Sequence, residues 1–264
     1  MSVKTEGLFA GRWSVSSRQV FWLGFYGIVL SAWIALYAMA VPAALPAGYD
    51  WSALCLTAGE TTFRVLFGMW ALMSAAMMTP TFVPAVRVFG DLAGVRASNS
   101  ASMASLVAGY VGVWLAFSAM AAQAQAVLGG WGLLWPDGAS RQPWFTAALL
   151  ALAGLYQLSL VKSACLAKCR HPLVFFMQHW KPGNRAAFAM GLRLGAFCVG
   201  CCWALMLLGF IGGTMNILWM GMATLFMIFE KLPGVGERLT RPTGIILLIS
   251  AVVVLSLALS SWDW

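Results

Sequence analysis

Hydropathy divides the chain into seven apolar blocks, separated by short stretches where charges, glycine and proline collect. The blocks run 19–41, 65–84, 104–128, 144–161, 187–211, 214–230 and 243–260. A helix needs roughly 20 apolar residues to cross a bilayer, and these blocks are of that order. None shows the period-two alternation of a membrane barrel strand. Lipid cannot satisfy exposed backbone groups, which leaves helices as the spanning solution. The pattern therefore predicts an all-α, polytopic transmembrane bundle of seven helices. It forms one domain over 19–260, with a cytoplasmic tail at 1–18 and a short tail at 261–264. The blocks lie too close together to leave room for a separate soluble domain.

Composition points the same way. Hydrophobic residues make up 61% of 264 positions and charged residues 9%, and the mean hydropathy is +0.84. A soluble domain carries about 25% charged residues, so too few remain here to coat a water-facing globule.

The net charge of +8 raises the question of a nucleic-acid partner, and its placement argues against one. With seven helices, Lys4, Arg12, Arg18, Arg87, Arg96, Lys162, Lys168, Arg170, Lys181, Arg185, Lys231, Arg238 and Arg241 fall on one side. Arg64 and Arg141 fall on the other, and Arg193 inside the fifth block. Cytoplasmic loops carry the Lys/Arg excess. The bias predicts a multi-pass protein of the inner (plasma) membrane, with its N-terminus in the cytoplasm and its C-terminus periplasmic or extracellular. One alternative concerns the first block, where basic residues, an apolar run and Ala38-Met39-Ala40 imitate a signal peptide. The run is longer than the roughly 7–15 residues of a signal core; cleavage would leave six helices in the same orientation.

Soft and polar residues fall in three places. In the second block, Met69, Met73 and Met77 repeat at spacing four and share a helix face. Met78 adjoins them, ahead of Thr79 and Pro80. Proline at 80 cannot donate to the Ala76 carbonyl, so that oxygen needs another partner inside the membrane. The packing alternative is a kinked helix that uses methionine as adaptable filler.

After the fourth block comes Cys165-Leu-Ala-Lys-Cys169-Arg170-His171-Pro172. Its two thiols are four apart, beside cations that favour thiolate. They lie on the cytoplasmic side, where a structural disulfide is not expected. The fifth block carries Cys198-Val-Gly-Cys201-Cys202-Trp203-Ala-Leu-Met206. Spacings of three and four put all four sulfur atoms on one flank, roughly 16–28 Å along the helix. Gly191, Gly195 and Gly200 allow close helix approach. Buried cysteine is also a common packing residue. The sixth block opens Gly212-Gly213-Thr214-Met215-Asn216 and ends Glu230-Lys231. Met215 is placed to face Met206, Asn216 to fix the turn, and Glu230 to pair with Arg193 or Lys162. Arg193 itself is expected to snorkel or pair.

Five of the six cysteines lie in these two clusters, and histidine is confined to His171 and His179. Thiolate and thioether donors select Cu(I), with Zn as the second candidate. Scarce histidine argues against a bis-histidine haem or a buried zinc hydrolase. Two thiolates with Cu(I) carry one net negative charge, which costs less in lipid than two unpaired thiolates. Copper entry releases protons.

Several of these elements together resemble a known bacterial family. They are Met77-Met78-Thr79-Pro80, Lys162 with Cys165-Leu166, Cys169-Arg170-His171-Pro172, Gly200-Cys201-Cys202-Trp203-Ala204-Leu205-Met206, Met215-Asn216 with Trp219-Met220, and Glu230-Lys231. The family is that of predicted metal-binding integral membrane proteins, a domain of unknown function. The resemblance covers about residues 65–232 and implies metal binding without implying a reaction.

The leading expectation is a soft-metal protein for handling, transfer or transport, in the bilayer and with a metal chaperone or other membrane subunit as partner. Cys198, Cys201, Cys202, Met206 and Met215 would form an intramembrane site. Cys165 and Cys169 would form a cytoplasmic exchange site, and Met77 and Met78 would line the path between them. No catalytic residue is assigned. Two other classes stay open. One is a thiol redox protein using Cys165/Cys169 and Cys201/Cys202, and the other is a structural or assembly subunit without metal.

Overall fold

The computed structural model describes residues 17–40, 63–95, 100–214 and 216–260, and among these the chain is all-α. Helix α1 spans Ser17–Ala40, α2 Phe63–Val95, α3 Ser100–Gly130, α4 Pro143–Gln157, α5 Leu160–Arg170 and α6 Pro172–His179. Helix α7 spans Asn184–Leu207, α8 is the single turn Gly209–Gly212, α9 is Ile217–Lys231 and α10 is Val235–Ser260. Among the described residues, five stretches are long and apolar enough to cross a bilayer: Gln19–Met39, Phe63–Leu92, Ala101–Gly130, Asn184–Gly212 and Val235–Ser260. The pair Pro143–Gln157 and Leu160–Arg170, bent by 63°, makes a sixth if it is one broken span. The protein is thus a multi-pass membrane protein. Each predicted block has a helix. However, α9 has 15 residues, about 22 Å of rise against a core of about 30 Å.

Helices α2 and α7 are central, and α1 and α10 peripheral. More than half of the α2 and α7 spans is buried within the protein, against 17% of α1 and 11% of α10. On α10, Ile245, Ile249, Val252 and Leu259 are exposed, as a lipid-facing helix requires.

Close packing at the centre rests on small residues. A Cβ placed on Gly191 of α7 would collide with the Leu106 carbonyl of α3, and one on Gly195 would stand 2.9 Å from Val113 Cβ. The expectation from Gly191, Gly195 and Gly200 therefore holds: bare backbone lets neighbours approach. The proline in α2 behaves as expected too. The Ala76 carbonyl freed by Pro80 accepts a hydrogen bond from Trp33 Nε1 of α1 at 3.1 Å.

The fourth block departs from expectation. It is not one helix over 144–161: α4 stops at Gln157 and α5 starts afresh at Leu160. Ser159 drives the restart. Its Oγ accepts from the Lys162 backbone N–H at 3.1 Å and donates to the Tyr156 carbonyl at 2.7 Å, an N-cap that competes with continuation of α4. His171 then separates α5 from α6, whose first residue is Pro172. Proline ends one helix here and is preorganised for the first position of the next.

Candidate metal centre

Helix α7 presents Cys198, Cys201 and Cys202 at positions i, i+3 and i+4, which turns three Sγ atoms to one flank. The sulfur atoms lie within 4.8 Å of one another, with Cys201 and Cys202 Sγ 3.3 Å apart. All three residues are buried and their thiols are free. Cys201 also donates back to the Cys198 carbonyl at 3.1 Å.

A fourth sulfur comes from another helix. The 63° bend after α4 lays α5 along α7, and Cys169 Sγ arrives 3.9 Å from Cys201 Sγ. One turn back, Cys165 packs on the bare backbone of Gly200, where an added Cβ would stand 2.8 Å from its Sγ. The Gly200 carbonyl accepts a hydrogen bond from the Tyr156 hydroxyl. The α5 cysteines were expected to form an exchange site apart from the α7 cluster. They adjoin it instead, because the capped restart at Ser159 redirects the chain across α7 rather than away from it.

Lys231, the last residue of α9, extends the cluster with a charge. Its Nζ donates to Cys198 Sγ at 3.0 Å and to Thr81 Oγ1 of α2 at 2.7 Å. On the other side of that sulfur stands the Tyr110 hydroxyl of α3 at 3.0 Å. The same hydroxyl donates to the Met78 carbonyl at 3.1 Å, and the ring stacks on Phe82 with centroids 3.9 Å apart. Side chains of α3 and α9 thus meet Cys198 of α7, and α2 holds both of them through Thr81 and the Met78 carbonyl.

The orientation of Lys231 follows from its neighbour. Glu230 turns the opposite way, into an ion pair with Lys162 at 2.9 Å, and both side chains are at most 1% exposed. Gln157 closes the set: its Nε2 donates to Glu230 Oε1 at 2.5 Å and its Oε1 accepts from Lys162 at 2.6 Å. Arg170 donates to the Glu230 carbonyl from Nε at 3.1 Å and Nη2 at 2.9 Å. Glu230 therefore pairs with Lys162 and not with Arg193, which is exposed on α7. Lys162, read from the sequence as a loop cation, is fully buried.

The remaining residues singled out in the sequence divide plainly. Met77, Met78 and Met206 are buried in the same core as the cysteines. Met215 lies outside the described residues. Asn216 fixes the turn, capping α9 by accepting from the Trp219 N–H at 3.1 Å. Sequence reasoning missed Tyr110 and Thr81 altogether and left Lys231 at the inner edge. A tyrosine or threonine in an apolar block has many other uses, so no signal singled these out.

Chemically, the cluster offers sulfur donors, one ammonium and one phenol. Among the described residues, no other group of histidine, cysteine or carboxylate side chains is arranged to hold a metal ion. His179 is engaged elsewhere, with Nδ1 2.9 Å from the Phe175 carbonyl. Thiolate donors of this kind suit a soft ion such as Cu(I).

Comparison with known proteins agrees with this chemistry. The model of the PpoB2 family, described as a copper chaperone, matches residues 67–254. That stretch includes the whole sulfur cluster and nearly all of the region on which the resemblance to a metal-binding membrane family was read. No curated protein and no solved structure matches the chain.

Proposed function

The chain belongs to the PpoB2 copper chaperone family, and from that premise we propose that it holds Cu(I) inside the membrane on the cluster of α7 and α5 and hands it to an acceptor. Cys198, Cys201 and Cys202 of α7 and Cys169 of α5 form the donor set, from which two thiolates hold the ion at any one time. The observation that carries this reading is the convergence of Cys169 on Cys201 at 3.9 Å, beside three α7 sulfurs within 4.8 Å of one another. Packing cysteines have no need to gather from two helices. Cys165 lies one α5 turn away, suited to receive or release the ion as it enters or leaves. Met77, Met78 and Met206 supply thioethers in the surrounding core, and Zn is the competing ion.

The seven-helix topology belongs to the same proposal. Helices α4 with α5 form a broken span and α9 a short one, with the N-terminus cytoplasmic and the C-terminus outside. The Lys/Arg distribution supports it, as does a plasma-membrane location. Partners are the bilayer and a copper-donating or copper-accepting protein.

The test is elemental analysis of the full chain, purified in detergent after growth with copper, beside a Cys201→Ser/Cys202→Ser double variant. Wild type is expected to retain copper and the variant to lose it. Equal copper in both samples would sink the α7 site. A thiol-redox reading draws on the same closeness of Cys169 and Cys201. It predicts a change in alkylatable thiols between oxidising and reducing conditions, whereas the copper reading predicts protection from alkylation by bound Cu(I).

A further inference from the structure

Beyond which residues bind the ion, the structure bears on which ionic charge the site accepts. This step rests on the copper reading above. Lys231 is the only charged side chain among the described residues that contacts the sulfur cluster, with its ammonium 3.0 Å from Cys198 Sγ. Among those residues no carboxylate forms an ion pair with it; its other contact is the neutral Thr81 hydroxyl at 2.7 Å. Lys231 is half-buried, and an ammonium drawn partly out of water without a counter-anion is unfavourable, as is a buried anionic complex without a counter-cation.

We propose that Lys231 is the specificity-determining residue of the site. It is a fixed positive charge that makes a two-thiolate complex of a singly charged soft ion electrically neutral. The balance is direct. Cu(I) brings one positive charge, two cysteines lose their protons to solvent and bring two negative charges, and the Lys231 ammonium cancels the one that remains. Ag(I) obeys the same sum. A doubly charged soft ion such as Hg(II) already forms a neutral complex with two thiolates and has no use for the ammonium. Tyr110 and Thr81 are neutral hydroxyls and hold the geometry without altering the sum. Glu230 does not interfere, since its carboxylate is committed to Lys162 and Gln157 on the far side of α9.

The test uses the full chain in detergent, with Cu(I), Ag(I) and Hg(II) titrated in competition with soluble thiol or chromophoric chelators. Lys231→Gln keeps a side chain able to hydrogen-bond Thr81 and Cys198 but removes the charge. Cu(I) and Ag(I) affinity is expected to fall by about 30-fold, the lower end of the coupling measured for close charge pairs. Hg(II) affinity is expected to stay within about threefold, and Lys231→Arg to restore most of the Cu(I) affinity because it restores the charge. An equal loss of all three ions would make Lys231 merely structural and overturn the proposal. So would unchanged Cu(I) binding in Lys231→Gln while Cys201→Ser/Cys202→Ser still abolishes it, a result that leaves the copper reading intact. Wild type that binds no Cu(I) would overturn the parent reading instead. A measurement that needs no variant is copper-edge X-ray absorption of the loaded wild type. Two sulfur neighbours at thiolate distance are expected, and a third would overturn the neutral-complex sum.

Discussion

Lys162 and Lys231 lie on opposite sides of the last turn of α9, and the interior treats them differently. Lys162 meets the Glu230 carboxylate at 2.9 Å and the Gln157 carbonyl oxygen at 2.6 Å, so its charge is cancelled within the chain. Lys231 meets a hydroxyl and a cysteine sulfur, so its charge is answered only when a thiolate forms. The first arrangement is complete and ties α4, α5 and α9 together. The second is complete only when the sulfur cluster carries negative charge, which is what binding a soft cation through thiolates provides. A buried cation with its own carboxylate is architecture; a half-buried cation facing buried thiols is half of a binding site.

Removing one member of the closed pair gives the largest expected effect. Lys162→Met leaves Glu230 buried and unpaired, and is expected to cost about 3–5 kcal/mol of stability. Thermal unfolding in detergent would register it, and adding Glu230→Met should recover much of the loss. If Lys162→Met were no less stable than wild type, the contrast between the two lysines would fail. Next comes Arg170→Gln, which removes the two N–H bonds to the Glu230 carbonyl and loosens the residue beside Cys169. A loss of about 1–3 kcal/mol in stability is expected, together with weaker Cu(I) binding, because this side chain ties both regions together. Stability lost with Cu(I) affinity intact would show that the two regions act independently. Smallest is Tyr110→Phe. It removes a hydroxyl 3.0 Å from Cys198 Sγ, and Cu(I) competition should detect a change of about fivefold, near 1 kcal/mol. A stability loss larger than that of Lys162→Met would reverse the assigned roles.

Much of this protein was legible in the linear pattern. The second block foretold the orphaned Ala76 carbonyl, though not that Trp33 would fill it. Gly191 and Gly195 foretold close packing, though not that α3 would be the neighbour. The fourth block misled because hydropathy cannot distinguish a helix that continues from one that restarts. A single serine hydroxyl at 159 makes that choice, and its cap energy of about 1 kcal/mol is invisible in a count of apolar residues. Lys162 was read as a loop cation for a similar reason. Its burial depends on Glu230, 68 residues away; the linear pattern offered Glu230 both Arg193 and Lys162, and only the packing of α4, α5 and α9 chose between them and buried the pair.

Sequence by itself determined that the chain lives in a membrane as helices, because apolar runs of spanning length have no other way to satisfy their backbone. It also determined that Cys198, Cys201 and Cys202 share one flank of α7, because helical periodicity is a local property. Only the tertiary structure decided that Cys169 joins them, that Lys231 supplies the charge, and that Tyr110 and Thr81 hold the two in place. Those meetings depend on the bend between α4 and α5 and on how α2, α3 and α9 pack around Cys198. Such angles and distances are set by contacts between segments that no single segment encodes.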